Sequence, residues 1–334
     1  MSERNPKEIR DSTGKSKLAS HKGLATWGEK LVPLGDYRRE VQHHGKSLSE
    51  KERQVERDRF LSLDRDPVPV EGPFSRIAVF GGIYSNHQAL SALISGTRQH
   101  GAEALYCLGD LGGFGPHPEK VWPLLDAADV LSIQGNYEES LASGREDCNC
   151  GYTDPRDNHF ARLSYEYTAR NCSTAFRSWM GELPPRRRVH IGDRELLLVH
   201  GSPRKVNDFL FASTTSVPFL EVLLDQERCD GLLCTHTGLP WHRRLPSGRD
   251  VVNVGVIGRP ANDGETDVWY SMLEIGEDAA LRVELVPLSY DHLALAEEMR
   301  QEALPAEFIE TILSGWWTTC LEILPARERA RSRF

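Results

Sequence analysis

From Arg76 the chain alternates short apolar runs with helical stretches, and several of the runs end on a glycine beside a polar residue. "RIAVFG" reads as a buried strand and "NHQALSALISGTRQHG" as a helix. "ALYCLGD" is a second strand, "HPEKVWPLLDAA" a second helix and "DVLSIQGN" a third strand. Parallel strands need a crossover between them, so a β-α-β-α-β series builds a parallel sheet. After a helical middle region the apolar runs return as "RRVHIG", "ELLLVHG", "DGLLCT", "DVVNVG", "DVWYSMLEI" and "ALRVELVPL". The last of these are close enough in sequence to pair antiparallel. The expected class is mixed α/β with a β-rich second half, closed by helices over "DHLALAEEMRQEALPAEFIETILSGWW".

Residues 1–72 differ from this pattern. They are dense in charge and poor in apolar side chains, as flexible segments are. "SLSEKERQVERDRFLSL" reads as a solvated helix capped by Ser49, and "DRDPVPVEGP" as a linker, because closely spaced prolines stop a helix. The expected division is a charged extension over 1–72, a main domain over 73–288 and a helical extension over 289–334. The N-terminal arm and the C-terminal helices are the candidate surfaces for a protein partner. With 39% hydrophobic residues, the 334-residue chain has material for a large core. A formal net charge of -9 argues against general nucleic-acid binding, which needs a basic face. No apolar run approaches the ~20 residues of a membrane span. "MSERNPKEIRDSTGKSK" lacks an apolar signal core. These features predict a cytoplasmic protein without membrane contact, and seven scattered cysteines predict no disulfide framework.

Chemistry-bearing residues stand where strands give way to loops. "CLGD" ends on Asp110, "SIQGN" on Asn136, "LLLVHG" carries His200 and "LLCTHTG" carries His236. Any one of them alone reads as a local loop residue. All four at strand ends read as one site at a sheet edge. Two imidazoles, a carboxylate and an amide suit a divalent Mn, Fe or Zn better than a soft, thiolate-bound metal.

The ordered series "GD…GN…VHG…THTGLP" resembles the calcineurin-like metallophosphoesterases, in particular the small bacterial phosphodiesterase-like branch. "YCLGDLGGFGPHP" is similar to that branch's longer G-D segment, and "VVNVGVIGRP" occupies the place of its "NPGSVG" turn. The resemblance covers residues 76 to about 286. It implies an αββα sandwich, with mixed sheets flanked by helices and two metals at the strand ends. It also exposes departures. Gly82 and Tyr84 stand where the family has Asp and His, Gly238 where it has the last His of G-H-x-H, and Tyr137 where it has the His of G-N-H. The substituted positions 82, 84 and 238 serve one metal in the family scheme. Asp110, Asn136, His200 and His236 serve the other, with Asp110 bridging. The resemblance therefore implies a partly degenerate centre with one divalent metal and no second.

Other residues extend this reading. Arg204, in "HGSPRK", is a candidate phosphate clamp, since a guanidinium binds phosphate through two parallel donors. Tyr137 is a candidate hydrogen-bond donor to a leaving group, though its phenol is a slow base. Tyr84 is expected to fill the vacated pocket, and His87 reads either as facing the site from the first helical turn or as a surface or capping residue. "REDCNCGYTDPRDNH" puts Cys148 and Cys150 in a C-x-C spacing near Asp147, Asp154 and His159, which reads as a turn-rich lid carrying free thiols or, alternatively, as a loop whose thiolate adds metal ligation. "GWWTTCLEILP" reads as a C-terminal helix packed on the domain or on a subunit. Three functions stay open. One is a single-metal phosphoesterase acting on a phosphate-containing small molecule or a phosphoprotein. The second is a catalytically weak or inactive binding scaffold. The third is a metal-thiolate sensor using Cys148 and Cys150.

Overall fold

The computed structural model describes residues 24–27, 30–33, 70–278 and 280–330. The chain divides into two compact units, residues 1–59 and 60–334. Within the first unit, β1 (Leu24–Trp27) and β2 (Lys30–Pro33) pair antiparallel. The helix expected around Ser49 and the linker before Val70 lie outside the described residues.

The second unit is built on two sheets. The smaller has five strands in the order β13-β12-β4-β5-β6: β4 Arg76–Phe80, β5 Ala104–Cys107, β6 Leu131–Ser132, β12 Val268–Ile275 and β13 Leu281–Leu288. β4, β5 and β6 run parallel, joined through helices α1 (His87–Gln99) and α2 (Val121–Ala127), while β12 and β13 add antiparallel. The larger sheet has six strands in the order β10-β11-β9-β8-β7-β3. These are β3 Val70–Phe74, β7 Arg187–Ile191, β8 Arg194–Leu198, β9 Gly231–Cys234, β10 Trp241–Arg244 and β11 Asp250–Asn253. β3 begins at Val70, inside the stretch that reads as a linker. Among the described strands it pairs with β7 alone, and that edge position tolerates Pro73.

Alternation along the strands sorts the core into layers. Ile77 and Val79 of β4, Tyr106 of β5 and Ile133 after β6 face Val189, Ile191, Leu196, Leu198, Leu233 and Val252 of the larger sheet. The intervening Ala78 and Phe80 turn outward onto Leu90 and Leu93 of α1 and Leu125 of α2. On the far side, Leu197 and Leu232 meet Leu220, Leu223 and Leu224 of α6 (Val217–Glu227). Strands apolar on both faces are those of sheets covered on both sides. The result is the expected αββα sandwich.

Between the sheets' sequence segments run α3 (Asn136–Ser143), α4 (Pro155–Asn171) and α5 (Thr174–Glu182). After β13, α7 (His292–Gln301) and α8 (Ala306–Ser314) pack Leu295, Met299, Phe308 and Ile312 against Phe114 and Phe160. The C-terminal helices thus belong to the same compact unit as the sandwich. "GWWTTCLEILP" is not a helix. Gly315 takes a left-handed conformation (φ 73°) that ends α8. The following chain crosses back as a loop, with Trp317 N donating to Asn262 Oδ1 at 2.9 Å and Trp317 Nε1 to the Pro260 carbonyl at 2.6 Å. A short helix α9 (Ala326–Arg329) follows. No described helix is long and apolar enough to cross a membrane.

Candidate metal centre

The two glycine-led loops after β5 and β6 are in contact. A Cβ on Gly109 would stand 2.2 Å from Gly135 N, and one on Gly135 would stand 2.4 Å from Asp110 Oδ1, so both positions exclude a side chain. Glu138 fastens the loops together. Its Oε2 accepts from Asp110 N (2.7 Å) and Gly135 N (2.8 Å), and its Oε1 from Leu111 N (2.8 Å). One carboxylate of α3 therefore satisfies three buried backbone donors. Asp110 itself has φ 59°, a strained conformation for a non-glycine residue.

Around this frame Asp110, Asn136, His200 and His236 converge, each 9% exposed or less. His200 Nε2 lies 3.0 Å from His236 Nδ1, 3.1 Å from Asn136 Oδ1 and 3.3 Å from Asp110 Oδ2. Each donor atom is aimed inward by a contact behind it. His200 Nδ1 donates to the Leu108 carbonyl at 2.6 Å, which turns Nε2 toward the centre. Asn136 Nδ2 donates to the Cys148 carbonyl at 2.8 Å, which turns Oδ1 inward. Phe209 packs on the His236 ring, centroids 4.4 Å apart. Asp110, His200 and His236 form one buried group close enough to hold a metal ion, with Asn136 Oδ1 beside it and the outer atoms of His200 and Asn136 already bonded, and this donor set fits a divalent ion.

Electrostatics agree with that fit. Burial and the neighbouring His200 pull the His236 imidazole down to about 3, so it is neutral and able to ligate at ordinary pH. Burial alone would raise Asp110, but His200 beside it holds the carboxyl below its usual range. Burial alone would lower His200, and Asp110 outweighs that and raises it. Burial, then repulsion from Asp110, pushes Glu138 up to about 7.

The residues present do not fit a second ion. Gly82 and Gly238 offer no ligand atom, and the Tyr84 ring takes the space beside Gly82. A Cβ on Gly82 would meet Tyr84 Cζ at 2.7 Å and Val256 Cγ1 at 2.6 Å. One on Gly238 would meet the Trp317 ring at 3.3 Å. Tyr84 fills this pocket as the sequence predicts, but Val256 and Trp317 share it, which the sequence did not disclose.

Several other expectations require correction. The Tyr137 hydroxyl lies in the core, 2.9 Å from Ser164 Oγ of α4, rather than free at the centre. Arg204 is taken up by Asp208 at 3.2 Å and by the Phe219 ring at 5.0 Å, which hold it on the loop after β8. His87 faces α7, with Nε2 3.0 Å from Glu298 Oε2. Cys148 and Cys150 are joined in a disulfide, so neither is a thiolate ligand in this structure; the other five cysteines are free and buried. Asp147 accepts from Asn149 N at 3.0 Å in a local turn, and Asp154 caps α4, accepting from Arg156 N at 2.8 Å. The C-x-C loop still reaches the centre, through the Cys148 carbonyl and through Cys150 Sγ, 3.4 Å from Asn136 Nδ2. Sequence reading missed Glu138, Phe209 and Arg259. The last lies in "VVNVGVIGRP", a stretch already singled out, and is buried at 7% exposure.

Comparison with known proteins agrees with this geometry. The model of the calcineurin-like phosphoesterase superfamily domain matches residues 76–278. An uncharacterised protein of Methanocaldococcus jannaschii is 22% identical over 258 residues, covering 72% of this chain and 98% of its own. A hypothetical protein from Pyrococcus horikoshii has a similar fold, with a TM-score of 0.61 at 23% identity, over 73% of this chain and 99% of that one. So has a metallophosphoesterase from Sphaerobacter thermophilus, with a TM-score of 0.55 at 22% identity, over 72% of this chain and 99% of that one. With glycine-led loops, inward-facing donors and sandwich in agreement, the chain belongs to the calcineurin-like phosphoesterase superfamily.

Proposed function

We propose that this protein is a phosphoesterase working with one divalent metal ion, held by Asp110, Asn136, His200 and His236. The observation that carries the reading is the convergence of three donor atoms within 3.3 Å of His200 Nε2. A divalent ion there supplies Lewis-acid polarisation of a phosphoryl oxygen and a lowered pKa for water. The chain's own contribution is positional. Glu138 locks the loops that carry Asp110 and Asn136, Leu108 fixes the His200 tautomer, and Phe209 limits the tilt of His236. The substrate class is a phosphate ester, on a small molecule or a protein. Metal analysis of protein purified without chelator, alongside hydrolysis of aryl phosphate mono- and diesters, tests this. One ion per chain, lost in His236→Ala, with hydrolysis that depends on it, is the expected result. Two ions, or none under metal-replete conditions, would overturn the single-metal reading.

A binding role without turnover is the competing reading, and Tyr137 favours it. That residue stands where the family has its proton-transfer histidine, and its hydroxyl is committed to Ser164. Full metal occupancy with no turnover of any phosphate ester would select this alternative.

A further inference from the structure

Arg259 lies on the loop between β11 and β12 and is 93% buried, with 7% exposure. Its guanidinium makes no hydrogen bond and no ion pair with any described residue, and Nε is sealed from solvent without a partner. Buried arginines are ordinarily paired, because an uncompensated cation is costly to take out of water. Stacking accounts for its faces only. Cζ is 3.5 Å from the Trp317 ring centroid and 5.7 Å from that of Phe114. The five N–H donors lie in the guanidinium plane, and cation–π contact leaves them unused. Close enough to feel its charge are the phenols of Tyr84 and Tyr152 and the Cys320 thiol. Burial keeps all three neutral, so none of them balances it. Tyr84 and Tyr152 are each partly exposed as whole residues.

Three routes tie Arg259 to the metal centre. Tyr84 N donates to the Asp110 carbonyl at 3.1 Å, and the charges of Asp110 and Arg259 both act on the Tyr84 phenol. The Tyr152 ring lies 6.0 Å from Phe209, which itself packs on His236. Trp317, under the guanidinium, occupies the space in front of Gly238. A forked cation therefore stands on the side of the centre where the family places its second metal.

We propose that Arg259 is the phosphate anchor of this site, binding phosphoryl oxygens of the substrate through its free N–H fork, with the Tyr84 and Tyr152 hydroxyls beside it. A guanidinium matches two oxygens of a phosphate at once and brings a fixed positive charge. It would thus do for the substrate's charge what the missing cation does in two-metal relatives. The identity of the anion rests on the phosphoesterase reading; the existence of an anion site does not.

The test is calorimetric titration of inorganic phosphate into the metal-loaded protein, Arg259→Gln and Arg259→Lys, with metal content measured in each. Phosphate affinity should fall by about tenfold or more in Arg259→Gln at unchanged metal content, and by less in Arg259→Lys, which keeps the charge but loses the fork. Tungstate soaked into crystals of the unmutated protein should give an anomalous peak within hydrogen-bond reach of the Arg259 guanidinium. This holds the question open to refutation even if Arg259→Gln fails to fold. Equal phosphate affinity in folded Arg259→Gln, no phosphate binding to the unmutated protein, or tungstate only elsewhere would overturn the proposal. Arg259-dependent phosphate binding without hydrolysis of any ester would instead overturn the phosphoesterase reading and leave the anchor standing.

Discussion

At the scale of single residues, Glu138 has the widest reach. It accepts from three buried backbone N–H groups on two loops. Each donor left unsatisfied costs about 1–3 kcal/mol. Glu138→Ala should therefore destabilise the domain by roughly 3 kcal/mol or more and lower metal affinity with it, measured by urea denaturation and metal titration. A second prediction concerns the substituted ligand positions. Gly82→Asp, Tyr84→His and Gly238→His together should not create a second metal site, because Val256 and Trp317 still block the new side chains. Stoichiometry above one ion in that triple variant would show that the pocket yields. The four converging residues Asp110, Asn136, His200 and His236 were legible in the sequence because such residue types are conspicuous at the ends of apolar runs. Arg259 was not, because its burial depends on Trp317, whose indole reaches Pro260 from 57 positions away. Nor was the engagement of Tyr137 with Ser164, since α4 returns to α3 only in three dimensions.

At the scale of elements, most strands were legible because they are apolar on both faces. β10 and β3 were not. "WHRR" has one apolar residue to bury, and β3 contains a proline that only an edge accepts. The β6 run shrank to two paired residues, since "IQGN" leaves the ladder to form the loop that carries Asn136. The helices after β13 were expected, but their anchoring was not. Phe308 of α8 lies 4.6 Å from Phe114, on the loop that follows Asp110, and 5.9 Å from Phe160 of α4. Phe308→Ala should cost about 3–5 kcal/mol, the range for a buried Phe, with the loss read in the same denaturation experiment. A loss below 1 kcal/mol would mean that α8 docks only loosely.

At the scale of the whole molecule, the metal should act as a stabiliser. A ligand at a hundred times its dissociation constant adds about 2.7 kcal/mol, worth roughly 5 °C or more in a domain of this size. Chelator should lower the melting temperature by that order, and have little effect on His236→Ala. Acidification should weaken metal binding, because a bound ion must displace the proton that Asp110 helps His200 to hold. Since that imidazole is raised, the loss should begin above the ordinary histidine range, and metal titrations at stepped pH would show it. A pH-independent affinity down to pH 5 would contradict the assignment of His200 as a ligand.

The centre is also assembled from segments far apart along the chain. His200 meets Leu108 across 92 positions, Asn136 across 64 and His236 across 36. Contacts of such span form late, after the loop-closure entropy of both sheets has been overcome. Metal capture by a refolding chain should therefore lag behind the recovery of helical signal. The site would then serve as a built-in clock for the last step of folding.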